Sequence, residues 1–207
     1  IEVGATFVDV GALFEVVVQE KHPFGQSFRL IGPNGERAMR TPMLGYHQLQ
    51  NAATAVAAAE ANRARGHTIS EQAIVDGIGH ARVPGRLEVM GQKPLIVADG
   101  AHNEESAEAL ARALKEYFNW RRCFLVIGCT RDKDVRGMGF KLARYAELIV
   151  CTQFRNPRSM DPYQMIQEIG FLGPPAVAEE SVPDAIDTAL AHAEEDDVVC
   201  ITGSLYV

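Results

Sequence analysis

Val97-Ala98-Asp99-Gly100-Ala101-His102-Asn103 is the stretch that decides how this chain is built. An apolar run, Leu95 to Ala98, ends abruptly in Asp-Gly-Ala-His-Asn. A helical pattern follows at once, with Ala107, Leu110, Ala111, Leu114 and Phe118 on one face. A strand that hands over directly to a helix is the repeating unit of an α/β sheet, and in open sheets ligands bind at the carboxyl ends of the strands. Leu95–Ala98 is apolar throughout and reads as a central strand, the first of its domain, buried on both faces. Asp99 and His102 are then placed on the ligand crevice, and Asn103 caps the next helix. The plainer alternative is that Asn103 caps a helix, His102 is a surface histidine and Asp99 only makes a turn.

The same pattern recurs downstream. Apolar runs at 123–127, 148–151 and 198–201, with a shorter one at Ala176-Val177, are mostly separated by helical patterns. Ser181-Val182-Pro183-Asp184 reads as a capped helix start, with Ala185, Ile186, Ala189, Leu190 and Ala193 as the apolar stripe behind it. Strands alternating with helices imply right-handed crossovers and a mostly parallel sheet covered on both faces. The fold class is therefore α/β with a Rossmann-like sheet. It lacks a GxGxxG fingerprint, so no dinucleotide is inferred.

Upstream the reading changes. Phe14–Gln19 and Ser27–Ile31 are short β-branched or aromatic runs bounded by turn signals at His22-Pro23-Phe24-Gly25 and Gly32-Pro33-Asn34-Gly35, a meander of hairpins. Residues 47–65 switch to helix, with seven alanines between Asn51 and Ala61 and Gly66 as the stop. A second helix begins after Ser70, with Ile69 and Ile74 as a hydrophobic staple, and runs out near Gly77–Gly79. Val83-Pro84-Gly85 breaks the chain, which sets the domains at 1–83 and 84–207.

Composition narrows the function. The 207 residues carry a net charge of −7 and no Lys/Arg cluster, which argues against nucleic acid as a partner. No apolar run is long enough to span a bilayer, and no signal peptide opens the chain. Cys123, Cys129, Cys151 and Cys200 form no CxxC pair. They lie mostly in apolar runs, as reduced core cysteines of a cytoplasmic protein do. Both ends read as cut, so a piece of a longer protein is expected.

The polar residues cluster at strand ends: 99–103, 128–134, 152–158 and 202–206 would share one edge of the sheet. Cys129-Thr130-Arg131-Asp132-Lys133-Asp134 is densely charged, and Arg155 and Arg158 are suited to clamp a carboxylate or phosphate. Pro84-Gly85-Arg86 holds one arginine on a rigid turn, where a polyanion would reach it. Gln48 and Asn51 are three apart on a helix, and their carboxamides match the edge of a purine ring. Each has a bland counterpart: a solvated loop, a surface arginine, a decorated helix end.

Taken in order, Leu44-Gly45-Tyr46-His47-Gln48-Leu49-Gln50-Asn51-Ala52-Ala53, Pro84-Gly85-Arg86-Leu87-Glu88-Val89, Asp99-Gly100-Ala101-His102-Asn103, Ile127-Gly128 with Asp132-Lys133-Asp134, Asn156-Pro157-Arg158 and Thr202-Gly203-Ser204-Leu205-Tyr206 resemble one family. It is the folylpolyglutamate synthase branch of the Mur ligase superfamily, and the resemblance is to its carboxyl-terminal half. It implies that 1–83 is the end of the ATP-binding central domain and 84–207 the Mur ligase carboxyl-terminal domain. It implies a reaction in which MgATP phosphorylates a folate carboxylate and the amine of L-glutamate attacks the acyl phosphate. Asn51, Arg86 and Asp99 fall on the family's ATP contacts. Asn51 would read adenine, Arg86 would neutralise phosphate charge, and Asp99 would hold the ribose or orient Arg86. His102, Ser204 and Tyr206 are candidates for the incoming glutamate, with His102 also the catalytic candidate.

The implied cofactors are ATP and Mg2+, and the implied partners are folate or dihydropteroate, L-glutamate and an amino-terminal P-loop domain, in a monomer. The resemblance puts the metal ligands in that domain, and no metal ligand is assigned in this chain. Glu104 departs from the family, which often has proline there, and sets a negative charge near the glutamate position. No GxxxxGK[ST] loop occurs in the chain. A peptidoglycan-precursor ligase, which Arg131-Asp132-Lys133 also resembles, and a non-catalytic nucleotide-binding module are the alternatives.

Overall fold

The computed structural model describes residues 7–205 and 207, and the chain divides into two compact units, Ile1–Val83 and Pro84–Val207. In the first, a short helical turn α1 (Val10–Leu13) precedes three strands, β1 (Glu15–His22), β2 (Gly25–Gly32) and β3 (Gly35–Thr41), paired as an antiparallel meander. Strand β2 alternates, with Gln26, Phe28 and Leu30 buried. Two helices follow, α2 (Tyr46–Ala64) and α3 (Glu71–His80). The buried face of α2 is Gln48, Leu49, Ala52, Ala53, Val56 and Ala57, a four-residue spacing that lays one stripe on the core. Its alanines close against Phe28, Leu30 and Met39, with Ile74 from α3 completing the cluster. Ser70 caps α3 by accepting from the Ala73 amide, and Gly66 ends α2 at φ +95°.

The second unit is an α/β layer structure. Its strands are β4 (Glu88–Gln92), β5 (Leu95–Ala98), β6 (Cys123–Ile127), β7 (Ala146–Thr152), β8 (Ala176–Glu179) and β9 (Val198–Thr202), in the order β4-β5-β9-β6-β7-β8. All pairings are parallel except β4 with β5. Four helices connect them: α4 (Glu104–Tyr117), α5 (Val135–Leu142), α6 (Pro162–Ile169) and α7 (Val182–His192). Ala185 and Ala189 of α7 cover Phe124, Val126, Leu148, Val150, Val199 and Ile201 on one face. The alternate residues Leu125, Ile127, Ile149 and Cys200 are buried too, so the opposite face is also covered, where α4, α5 and α6 pack side by side.

Two expectations are corrected. Strand β5 is not the first strand of its domain: the polar edge strand β4 precedes it and closes its outer side. Nor is β5 buried on both faces. Only Val97 is fully buried, while Leu95, Ile96 and Ala98 are half-buried, because β5 is second from the edge and the core is centred on β9, β6 and β7.

Candidate functional site

The carboxyl ends of the parallel strands bring the polar segments together at one edge, and the turns are bonded to one another there. After β5 the amide of Asp99 donates to Ile201 O at 2.9 Å, and the amide of Gly203 donates to Ala101 O at 3.0 Å. The amide of Gly128 donates to Thr202 O at 3.1 Å. The loops after β6 and β7 are zipped by a Thr130–Ser159 bridge, by Arg131 N to Arg158 O at 2.9 Å, and by Met160 N to Cys129 O at 2.8 Å. The segments 99–103, 128–134, 152–158 and 202–205 therefore share one rim, and Tyr206 lies outside the described residues.

Asp99 is built into this rim. Its carboxylate accepts from the amide of Ala101 at 2.8 Å, shaping its own turn, and from the amide of Leu87 at 2.8 Å. The second bond ties the Pro84–Leu87 turn to the end of β5. The amide of Gly100 adds a 2.7 Å bond to Gly85 O. Arg86 thus projects from a turn fixed on both sides, half-buried and without an ion pair among the described residues. A cleft of about 410 Å³ opens here, lined by Pro84, Gly85, Asp99, Gly100, Ser204 and Leu205 among others.

His102 stands one turn further on and is half-buried. Its Nδ1 lies 2.9 Å from Gly100 O. A carbonyl oxygen only accepts, so Nδ1 is the donor in this contact and Nε2 is the ring nitrogen left for another partner. Asn103 caps α4 through the amide of Ser106 at 2.8 Å, and Ser106 Oγ accepts from the amides of Asn103 and His102. The side chain of Ser106 closes the capping box, a role the sequence did not single out. Glu104 does not leave an uncompensated charge beside His102. Lys141 from α5 meets it at 3.2 Å and meets Glu108 at 3.0 Å, and these two carboxylates raise the lysine's pKa. Arg155 and Arg158 are exposed on the far side of the rim.

The remaining predicted residue, Asn51, belongs to the first unit. Its Nδ2 donates to Gln48 Oε1 at 3.1 Å, and Gln48 Nε2 lies 3.1 Å from His47 Nε2. The chain entering this helix is pinned from β2, where the buried Gln26 donates to Met43 O at 2.7 Å and Gly45 O at 3.0 Å. Asn51 is exposed at the end of this relay.

The four cysteines are buried and free, and burial pushes Cys123 and Cys151 up to about 12 and Cys129 to about 11, so they are not nucleophiles. Among the described residues no group of three or more His, Cys, Asp or Glu is placed to hold a metal ion, and no helix is long and apolar enough to cross a membrane.

A mostly parallel sheet with polar turns gathered at its carboxyl rim defines a Rossmann-like α/β domain. This chain belongs to the Mur ligase family: residues 85–205 match the Mur ligase, glutamate ligase domain. It is 35% identical over 156 residues to the dihydrofolate synthase/folylpolyglutamate synthase of Escherichia coli, covering 75% of this chain and 35% of that protein. The Bacillus subtilis protein of the same name is 34% identical over 176 residues, covering 81% of this chain and 39% of its own length. Among solved structures, Mycobacterium tuberculosis folylpolyglutamate synthase complexed with ADP and AMPPCP superposes with a TM-score of 0.80 at 31% identity, covering 93% of this chain and 45% of that one. The chain spans less than half the length of each of these relatives.

Proposed function

We propose that this chain is the carboxyl-terminal half of an ATP-dependent amide ligase that adds L-glutamate to a folate carboxylate through an acyl phosphate. The observation that carries the reading is the rim itself: Asp99 ties the arginine-bearing turn 84–87 to the strand end from which His102 projects. A cation carried on a braced turn, tied to the strand end that leads to a histidine, suits a reaction in which phosphate charge must be neutralised while an amine approaches. Arg86 then faces the transferring phosphate. His102 Nε2 and the rim hydroxyl of Ser204 receive the incoming amino acid, with Tyr206 assigned there on its position in the motif. Arg155 and Arg158 supply cations for its carboxylates. Asn51 reads the adenine through its carboxamide, held by Gln48.

Asp99 accepts from one backbone amide on each oxygen, which supports an orienting role on the Arg86 turn beside the alternative of holding the ribose. When bound, Mg2+ would offset phosphate charge, and the family resemblance assigns its ligands to an amino-terminal P-loop domain and none to this chain. Residues 1–83 close the ATP-binding domain, and the enzyme is a cytoplasmic monomer acting on folate or dihydropteroate. The names of the curated relatives and of the solved neighbour support folate over peptidoglycan precursors.

The test is ADP release by the full-length protein. Release that requires both a reduced folate or dihydropteroate and L-glutamate bears the reading out. Release driven instead by a UDP-muramoyl peptide with another amino acid, or nucleotide binding without turnover on any acceptor, overturns it.

A further inference from the structure

Arg86 is presented by a turn that holds more constraint than a surface loop needs. Gly85 is at φ +67° and Leu87 at φ +47°, so two residues out of three occupy the left-handed region, and Leu87 is the one non-glycine residue in the described chain to do so. A side chain in that region costs about 1 to 2 kcal/mol, so the conformation persists only because its surroundings over-determine it. Four contacts do so. The side chain of Leu87 is buried, 3% exposed. The amide of Leu87 donates to Asp99 Oδ2 at 2.8 Å. Glu88 Oε2 reaches back to accept from the amide of Gly85 at 2.8 Å, closing the turn on itself. Leu205, 57% exposed, lies over both glycines: a Cβ on Gly100 would come within 2.4 Å of Leu205 Cδ2, and one on Gly85 within 2.8 Å.

An exposed carboxylate and an exposed leucine are ordinarily dispensable, yet both are spent on the backbone that carries one arginine. We propose that Glu88 and Leu205 are positioning residues for Arg86: Glu88 closes the left-handed turn through the Gly85 amide, and Leu205 clamps it against the end of β5. Both line the cleft beside the Arg86 turn, and their part in the reaction runs through the guanidinium. The proposal rests on the reading of Arg86 as a phosphate contact.

The test is steady-state kinetics of the full-length protein. Glu88→Ala lowers kcat about tenfold, because a misplaced catalytic group is costly even at small displacements, while the KM for glutamate stays within twofold. Glu88→Gln keeps an acceptor oxygen in place and returns kcat to within about threefold of wild type. Leu205→Ala, an exposed truncation that leaves the core intact, lowers kcat in the same direction. In an Arg86→Ala background neither substitution has a further effect, since the group they position is gone. Should Glu88→Ala or Leu205→Ala lower kcat equally with and without Arg86, or leave kcat unchanged while Arg86→Ala is impaired, the positioning role is overturned. Should Arg86→Ala itself turn over like wild type, the underlying reading of Arg86 fails instead.

Discussion

Replacing Asp197 with asparagine tests the most concentrated electrostatic feature of the second unit, which stands at the edge opposite the candidate site. The carboxylate of Asp197, 1% exposed, accepts from the amides of Arg122 at 3.1 Å and Glu194 at 2.8 Å. It also takes the Arg122 guanidinium at 2.6 and 3.1 Å and Arg121 Nε at 3.3 Å. These bonds pin the start of β9 to the start of β6. Arg122 and the Glu194 amide hold the acid well below the usual carboxylate range. Breaking a buried charge pair costs about 3 to 5 kcal/mol. Here the arginine side chains are 53% and 30% exposed and regain water, which brings the cost for Asp197→Asn down to about 2 to 3 kcal/mol.

At about 2 to 4 °C per kcal/mol for a chain of this size, Tm falls by about 4 to 12 °C at pH 7. The sign with pH follows from the depressed acid. Its contribution is full above the unfolded value of about 3.9 and is lost as pH falls through the folded value. Thermal unfolding of wild type and variant from pH 7 to pH 2.5 should therefore show a gap that narrows below about pH 4. A Tm change under 1 °C at pH 7, or a gap that stays constant down to pH 2.5, would refute the reasoning.

Other expectations follow from single contacts. Gly203→Ala should destabilise by more than about 2 kcal/mol in urea unfolding, because φ is +106° and the new Cβ would stand 2.3 Å from Gly128 O, a backbone atom that cannot swing aside. Glu71, held by Arg37 and Arg63, titrates at about 2 in place of 4.5. Its stabilisation is thus present above about pH 4.5 and lost toward pH 2; Glu71→Gln should remove that part of the acid transition in a pH titration followed by circular dichroism. In the full-length protein, Arg86→Ala should lower kcat by a factor corresponding to about 2 to 4 kcal/mol. Asn51→Ala should mainly raise the KM for ATP, and steady-state kinetics of the two variants separates these roles.

The strand-helix alternation of 95–201 was legible because it is local. Each apolar run and each amphipathic stripe carries its own period, and Asn103, Ser70 and Ser181 mark helix starts by side-chain chemistry that acts within three residues. That the polar turns share one rim was legible too, since parallel strands joined by helices all end on the same side. Strand β4 was missed because Glu88–Gln92 is an edge strand with alternating exposure and a glycine inside it, which gives little apolar signal.

Pairing order, and everything that depends on it, belonged to the tertiary structure alone. The run Leu95–Ala98 names a strand but not its neighbours, and β9 arrives beside it from a hundred residues away, leaving β5 near the edge and half-buried. The composition of 99–103 marks Asp99 as a polar residue at a strand end, yet only the folded chain brings the Leu87 amide to its carboxylate and so braces the 84–87 turn. Nothing in Arg86-Leu87-Glu88 announces a left-handed leucine; that conformation exists because burial of its side chain, the turn's own Glu88 and the carboxylate of Asp99 outweigh its local cost. Local periodicity and capping are properties of neighbouring residues and are written in their order, whereas partners that meet across the sheet depend on which strands pair, which the chain decides only when its whole core is buried at once.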